Sequence, residues 1–246
     1  MLCSNCGLPL EGGDEAALFL CRTCGLAYEP GDEGLTSFRP LTASVTTELA
    51  APSDTRYLAT WRFVAAPEGG ARIGRPVLSP EGSLPVDPIW DGIRKAAAPG
   101  PPYLYVPAFV LARAVVQQLG VGLVMAQPQL ELTPGLPADT PARPTLVAPS
   151  GMAPAGATAG VSAGPDEGPG FGTVSPIVAG RQDARALANF IYLAVVAHEL
   201  HDLVSIEYRL ELSGEELVFL PAVWDPRYVL TSNWRFLLRE FDDLVA

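Results

Sequence analysis

The sequence predicts a mixed α/β (α+β) fold in which a small N-terminal metal-binding module precedes one mixed-sheet domain with a long low-complexity loop. Three observations support this prediction. All four cysteines of the 246-residue chain lie within its first 24 residues. Strand-like and helix-like segments then alternate, as expected of an α/β domain. A stretch rich in Pro and Gly interrupts them at about 133–172.

The cysteines form the pattern C-x2-C-x14-C-x2-C at Cys3, Cys6, Cys21 and Cys24. Two residues between paired cysteines let both sulfurs face one ion, and two such knuckles supply four thiolates, a ligand set that suits tetrahedral zinc. Gly7 and Gly25 follow the two knuckles, where the chain must turn tightly around the ion. Because four protein ligands leave no open position, the pattern predicts a structural metal site.

The cysteines and the glycines beside them resemble the zinc-ribbon family over residues 1–30. The resemblance implies one structural zinc ion, and we assign a zinc ribbon to residues 1–34. Iron is the alternative, since C-x-x-C-G knuckles also resemble those of rubredoxins, whose knuckles are spaced farther apart. The layout of the remaining chain is loosely similar to uncharacterised bacterial proteins that couple a zinc ribbon to an α/β domain, and this likeness implies no activity.

One α/β domain is expected over residues 35–246, after a hinge at Gly31–Gly34. Ahead of the interruption, residue preferences predict three strands, at 56–64, 103–106 and 121–132. They also predict helices at 88–98 and 109–119, with Gly120 as the stop of the second helix.

The interruption itself contains eight Pro and eight Gly in 40 residues, with only four charged side chains. Such a composition buries little apolar surface, so 133–172 is predicted to be a flexible loop.

The segment after the loop has the clearest pattern. A short strand is predicted at 174–178, followed by a helix at 183–203 that is apolar on nearly every face in its middle and should be buried. Alternating polarity predicts a β-hairpin of strands 204–212 and 217–224. A last helix is predicted to start at Thr231 or Ser232. Because strands on both sides of the loop have edges to satisfy, we expect them to share one sheet.

Charge narrows the range of partners. The net charge of −11 repels nucleic-acid backbones and anionic membranes. The N-terminus has no secretory signal pattern, and the longest uncharged apolar run, 186–197, is too short to span a bilayer. All four cysteines belong to one cluster and none remains for the predicted core, a distribution that is typical of a protein in a reducing compartment. We therefore expect a cytoplasmic protein with neither a nucleic-acid nor a membrane partner.

A candidate enzyme site is the only pair of histidines, His198 and His201, in the run H-E-L-H-D. Zinc hydrolases use H-E-x-x-H, which places two histidines four residues apart on one helix face. In this chain the two histidines are three residues apart, so they do not match the spacing of the zinc ligands in that motif. Neither a phosphate-binding loop nor a nucleophile elbow occurs in the chain. No catalytic residue is therefore predicted.

These observations favour a non-enzymatic accessory or adaptor protein that contacts another protein. The alternatives are a nucleic-acid-binding ribbon and a metal-dependent enzyme that uses the two histidines. Residues 1–34 carry one basic and six acidic side chains, which opposes nucleic-acid binding. Five apolar residues of the ribbon are candidates to cover the metal or to face a partner: Leu8, Leu10, Phe19, Leu26 and Tyr28.

Replacing His198 and His201 together by Gln is expected to leave the metal content of the purified protein unchanged, because neither side chain belongs to the four-cysteine set. Elemental analysis of the variant beside the wild type measures this, with Cys21→Ser as the control that loses metal. Loss of an ion from the histidine variant would instead favour the enzyme alternative.

Overall fold

The computed structural model describes residues 1–44, 55–73, 83–85, 87–111, 113–137, 174–200, 203–224 and 234–238. Within them the chain forms two sheets and three helices. The mixed α/β class predicted from the sequence is confirmed, and the four cysteines cluster at the N-terminal end of the chain.

The smaller sheet is N-terminal and antiparallel. It consists of β1 (Phe19–Cys21), β2 (Leu26–Gly31) and β3 (Gly34–Phe38), in the order β1-β2-β3. Gly31 pairs with Gly34 across a two-residue turn, and Gly34 has a φ of +117°, which glycine adopts without steric strain. The hinge predicted at this place is therefore wrong: the residues form a tight hairpin because β3 continues the sheet.

The larger sheet has seven strands: β4 (Leu41–Ala43), β5 (Arg56–Ile73), β6 (Ser83–Pro85), β7 (Tyr103–Pro107), β8 (Leu132–Pro134), β9 (Leu203–Trp224) and β10 (Trp234–Phe236). Their order is β6-β5-β9-β4-β8, with β7 also paired to β5 and β10 also paired to β9. Strands β4 and β9 are parallel and the other pairs are antiparallel. The expectation that strands before and after the loop share one sheet is confirmed.

The helices are α1 (Asp87–Ala97), α2 (Arg113–Ala126) and α3 (Arg181–Glu199). Helix α3 is buried along its middle, where Ile191, Tyr192 and Val195 are fully inaccessible. The predicted buried helix is thus confirmed, although it ends four residues earlier than expected. Helices α2 and α3 both contact β7, so they cover the sheet near its β5–β7 side.

The hairpin predicted within 204–224 is wrong, because β9 is one continuous strand that pairs with β5 along nearly its whole length. Between the pairs Arg62–Glu216 and Val64–Ser213, β9 contains one residue more than β5. The residues predicted to turn therefore form a β-bulge, with Gly214 at a φ of +60°. Both halves of β9 find their partner in an 18-residue strand, so the chain has no need to fold back on itself.

The strand predicted at 121–132 and the helix stop at Gly120 are also wrong. Helix α2 continues through Gly120 to residue 126. The glycine serves close packing, since a Cβ there would lie 2.5 Å from Cδ1 of the buried Ile191 on α3. The helix ends at Gln127, which has a φ of +43°. The Gln127 side-chain amide accepts from the Tyr103 N–H at 2.9 Å and donates to the Tyr103 carbonyl at 2.7 Å, so the helix end is tied to β7.

The last predicted helix is wrong over residues 234–236, which form β10 against the end of β9. The rings of Trp234 and Trp224 meet edge to face at 5.4 Å, and Leu237 and Leu238 are buried. Over these described residues the apolar side chains are therefore covered at the edge of the sheet and not by a helix packing on it. Residues 239–246 lie outside the described part of the chain.

Two further expectations concern the ends of the low-complexity loop. The strand predicted at 174–178 is reduced to two isolated bridges, Val174 to Tyr57 and Ile177 to Phe109. The first five loop residues are ordered parts of the fold: β8 pairs with β4, and Thr42 donates a hydrogen bond to the Gly135 carbonyl at 2.8 Å. The remainder of the predicted flexible loop, 138–172, lies outside the described residues.

Replacing Gly120 by Ala is expected to lower the free energy of unfolding by about 1 kcal/mol. The gain in helix propensity, roughly 0.5–1 kcal/mol, is outweighed because the new methyl group meets Ile191, a stiff β-branched side chain. Gly92→Ala is the matched control, since Gly92 lies in α1 and a Cβ there meets no atom within 4 Å. That variant is expected to be more stable by roughly 0.5–1 kcal/mol. Urea unfolding measures both, and an equal gain in the two variants would contradict the packing argument.

Candidate metal centre

Two turns of the N-terminal module present the cysteines. In the first knuckle, Gly7 donates its N–H to the Cys3 carbonyl at 2.9 Å. In the second, which follows β1, Gly25 donates in the same way to the Cys21 carbonyl at 2.9 Å. The two glycines have φ values of +74° and +65°. The predicted tight turns after both knuckles are confirmed, and both require the left-handed conformation that favours glycine.

The four predicted ligands come together. All four Sγ atoms lie within 4.8 Å of one another, with Cys3 to Cys24 at 3.8 Å and Cys6 to Cys21 at 3.5 Å. Zinc–sulfur bonds of about 2.3 Å in a tetrahedron place the sulfurs about 3.8 Å apart. None of the four is in a disulfide, whose sulfurs would lie about 2.05 Å apart. The cluster can therefore hold one ion with four sulfur ligands.

Two side chains outside the ligand set hydrogen bond to the sulfurs. The Tyr28 hydroxyl lies 3.0 Å from Cys3 Sγ, and Asn5 Nδ2 donates to Cys24 Sγ at 3.2 Å. Tyr28 is fully buried, so it covers the cluster and is not available to a partner as the sequence pattern had allowed. Asn5 lies inside the first knuckle, between its two cysteines. Tyr28 was among the residues predicted to cover the metal or to face a partner, but neither hydrogen bond to a sulfur was predicted. Only the folded hairpin brings the Tyr28 hydroxyl back to the first knuckle.

The two buried sulfurs differ in their ease of ionisation. The hydrogen bond from the Tyr28 hydroxyl lowers the pKa of the Cys3 thiol to about 6, whereas burial raises the pKa of the Cys21 thiol to about 12. The same hydrogen bond raises the pKa of Tyr28, which therefore stays a donor. A cation at the centre of the cluster would supply the positive charge that a buried Cys21 thiolate needs.

The module is continuous with the main domain. Three of its residues, Leu18, Leu20 and Ala27, belong to the main hydrophobic core. Glu29 Oε1 of β2 accepts a hydrogen bond from the Arg181 backbone N–H at 2.6 Å. The N-cap of α3 is Gly180, which has no side chain to offer, so a carboxylate from the N-terminal module accepts a hydrogen bond at this helix terminus. The division of the chain into a zinc ribbon at 1–34 and one α/β domain at 35–246 stays a prediction.

The described residues do not bring together the two histidines of the candidate enzyme site. His198 is exposed in the last turn of α3, and His201 lies outside those residues. The cysteine cluster is the one group of potential metal ligands found within the described ranges.

Comparisons of this chain with known protein families, with curated proteins and with solved structures found no match. Within the described ranges, no helix is both long enough and apolar enough to cross a membrane.

Replacing Tyr28 by Phe is expected to weaken metal binding roughly tenfold, because the ring still covers the cluster but the hydrogen bond to Cys3 is lost. Competition with a chromophoric chelator measures the affinity. Tyr208→Phe is the control, since the Tyr208 hydroxyl meets Asn189 at 3.5 Å on an exposed surface. Equal affinities for the two variants and the wild type would show that the hydrogen bond does not support the site.

Proposed function

We propose that the protein is a zinc-binding, non-enzymatic accessory protein whose N-terminal ribbon mediates contact with another protein. The observation that carries this proposal is the convergence of four thiols at tetrahedral sulfur–sulfur distances. Cys3, Cys6, Cys21 and Cys24 would hold the ion. Zinc is favoured over iron because the short spacing between knuckles is unlike that of rubredoxins.

A structural role for the ion follows from the ligand count. Four cysteine sulfurs complete a tetrahedral shell and leave no position for water or substrate. An ion bound here would join the first knuckle to the hairpin that bears the second. Since Glu29 of the same hairpin caps α3, the ion would also stabilise the attachment of the ribbon to the main domain.

The surface of the first knuckle supports a protein partner. Three apolar residues there are unusually exposed: Met1 at 65%, Leu2 at 64% and Leu8 at 47%. They lie close together, because Leu2 bridges to Pro9 and the Cys3 N–H donates to the Leu8 carbonyl at 2.8 Å. We call these three residues the apolar tip. Exposed apolar groups beside an acidic module suit a partner that offers an apolar contact with a basic rim.

Charge distinguishes this proposal from the nucleic-acid alternative. The one basic residue of the ribbon, Arg22, donates from Nε to Glu11 at 3.0 Å, so its charge is balanced within the module. Zinc with four thiolates would add two negative charges. Nucleic-acid ribbons need Lys and Arg to neutralise phosphates, which this module does not provide.

The purified, reduced protein is expected to contain one zinc ion per chain, and Cys21→Ser is expected to lose it. Because zinc binding and ribbon folding are coupled, and because Leu18 and Leu20 belong to the main core, the variant should also melt at a lower temperature. Elemental mass spectrometry and thermal unfolding measure these effects, with Thr23→Ala as a control at an exposed position of the second knuckle. A ratio near zero in the wild type, or stoichiometric iron, would contradict the zinc assignment.

Replacing Leu2 and Leu8 together by Ser is expected to abolish capture of the partner while leaving the zinc content unchanged. Affinity capture from the native host, quantified by mass spectrometry, measures this. Val204→Ser is the matched control, since Val204 is 65% exposed but lies on β9 of the main sheet. The proposal is supported if the wild type and the Val204→Ser control both retain the same protein and the Leu2/Leu8 variant does not.

The result that would contradict the adaptor proposal is nucleic-acid binding by the protein. Micromolar or tighter binding of single- or double-stranded DNA or RNA, weakened by salt and by Cys21→Ser, would replace the adaptor proposal with the nucleic-acid alternative.

A further inference from the structure

Strand β3 is an open edge of the metal-bearing sheet. Among the described residues it pairs on one side only, with β2. Its first four residues, Gly34 to Ser37, are exposed, and Phe38 is half-buried. Natural proteins protect such edges with charged residues, proline or bulges, because free N–H and C=O groups can pair with another strand. Strand β3 has none of these devices between its ends.

The register shows which backbone groups face the open side. Leu35 lies opposite Pro30, which has no N–H, so these two residues form a non-hydrogen-bonded pair. The N–H and C=O of Leu35 therefore point away from β2. Because the pattern alternates along an antiparallel strand, the same groups of Ser37 also point outward, whereas those of Thr36 point toward Glu29 on β2.

We propose that β3 is a self-association surface on which a second copy of this chain adds antiparallel, with the two-fold axis at Thr36. Leu35 then exchanges both backbone hydrogen bonds with Ser37 of the partner copy, and the two Thr36 residues face each other in a non-hydrogen-bonded pair. The two three-stranded sheets become one six-stranded sheet. Such a contact is isologous, as a two-fold axis requires.

Charge selects this register. Glu33, in the turn just before β3, and Arg39, just after β3, lie three residues to either side of Thr36. An axis at Thr36 therefore brings each Glu33 next to Arg39 of the other copy at the strand ends, twice per dimer. A two-fold axis at Leu35 or at Ser37 would also pair the outward-facing N–H and C=O groups. However, an axis at Leu35 places Glu33 opposite Ser37, and an axis at Ser37 places Arg39 opposite Leu35. The self-complementary arrangement of one acid and one base around an uncharged strand thus favours a second copy over an unrelated peptide. Since the contact is short, the dimer should be weak and concentration-dependent.

The test is sedimentation velocity on the full-length, metal-loaded chain at about 1 µM to about 1 mM, the range in which weak complexes dissociate. The wild type is expected to shift from monomer to dimer as concentration rises. Arg39→Glu and Glu33→Arg are each expected to weaken dimerisation at least tenfold, since they place like charges opposite each other. The double variant, Glu33→Arg with Arg39→Glu, is expected to restore it to within about threefold, because each pair again has opposite charges.

Glu15→Arg is the matched control for charge alone, since Glu15 is an exposed acid of the same module outside β3. Metal content and circular dichroism confirm that each variant is folded. Ser37→Pro removes an outward N–H without removing a bond to β2, and it is expected to abolish dimerisation. A wild type that stays monomeric, a dimer insensitive to both single reversals, or a double variant that is not restored would overturn the proposal.

Discussion

The pairing of β5 with β9 is the constraint on which the rest of the structure depends. Every other strand of the large sheet extends from one of these two or from β4, which itself lies on β9. Large apolar side chains on the two strands, among them Trp61, Phe63 and Phe219, are completely buried. The indole N–H of Trp61 donates to the Ala179 carbonyl at 2.9 Å just before α3 begins, so the sheet also positions the buried helix.

An ion pair between the buried Arg62 and the half-buried Glu216 lies beside the bulge in the β5–β9 pairing. Arg62 is 8% exposed and donates to Glu216 at 2.7 Å, while its guanidinium lies 4.2 Å from the centre of the Tyr103 ring. A buried charge is tolerated only when it is paired, and a slip by one residue would move Glu216 to the other face of the sheet. The ion pair therefore opposes register shifts at the place where the bulge makes the ladder least regular.

The candidate metal centre is connected to this ladder through a short series of contacts. Tyr28 hydrogen bonds to Cys3, and its neighbour Glu29 caps α3 through the Arg181 N–H. The Arg181 guanidinium in turn lies over the rings of Phe38 and Trp61, at 5.2 and 5.7 Å. A module of this size has only a small core of its own, so it depends on the apolar surface that it shares with the domain. An ion bound by the four cysteines would stabilise it further.

Elements whose cause is local could be predicted from the sequence. The four cysteines and the glycines after them are set by spacing and by backbone conformation, and the middle of α3 is apolar enough on all sides to require burial. Gly120 shows the limit of this reasoning, because a glycine that stops a helix and a glycine that admits a neighbouring helix look the same in sequence.

Only the tertiary structure decided the features whose partners are distant in the chain. Arg62 and Glu216 are 154 residues apart, and Glu29 and Arg181 are 152 apart. Alternating polarity in β9 correctly indicated a strand, but it could not say that both halves pair with β5 and that Gly214 forms a bulge instead of a turn. The sequence by itself determined the candidate ligand set and the buried helix, because those depend on neighbouring residues. Strand pairing, the cap on α3 and the role of Tyr28 were decided by which distant surfaces could be buried together.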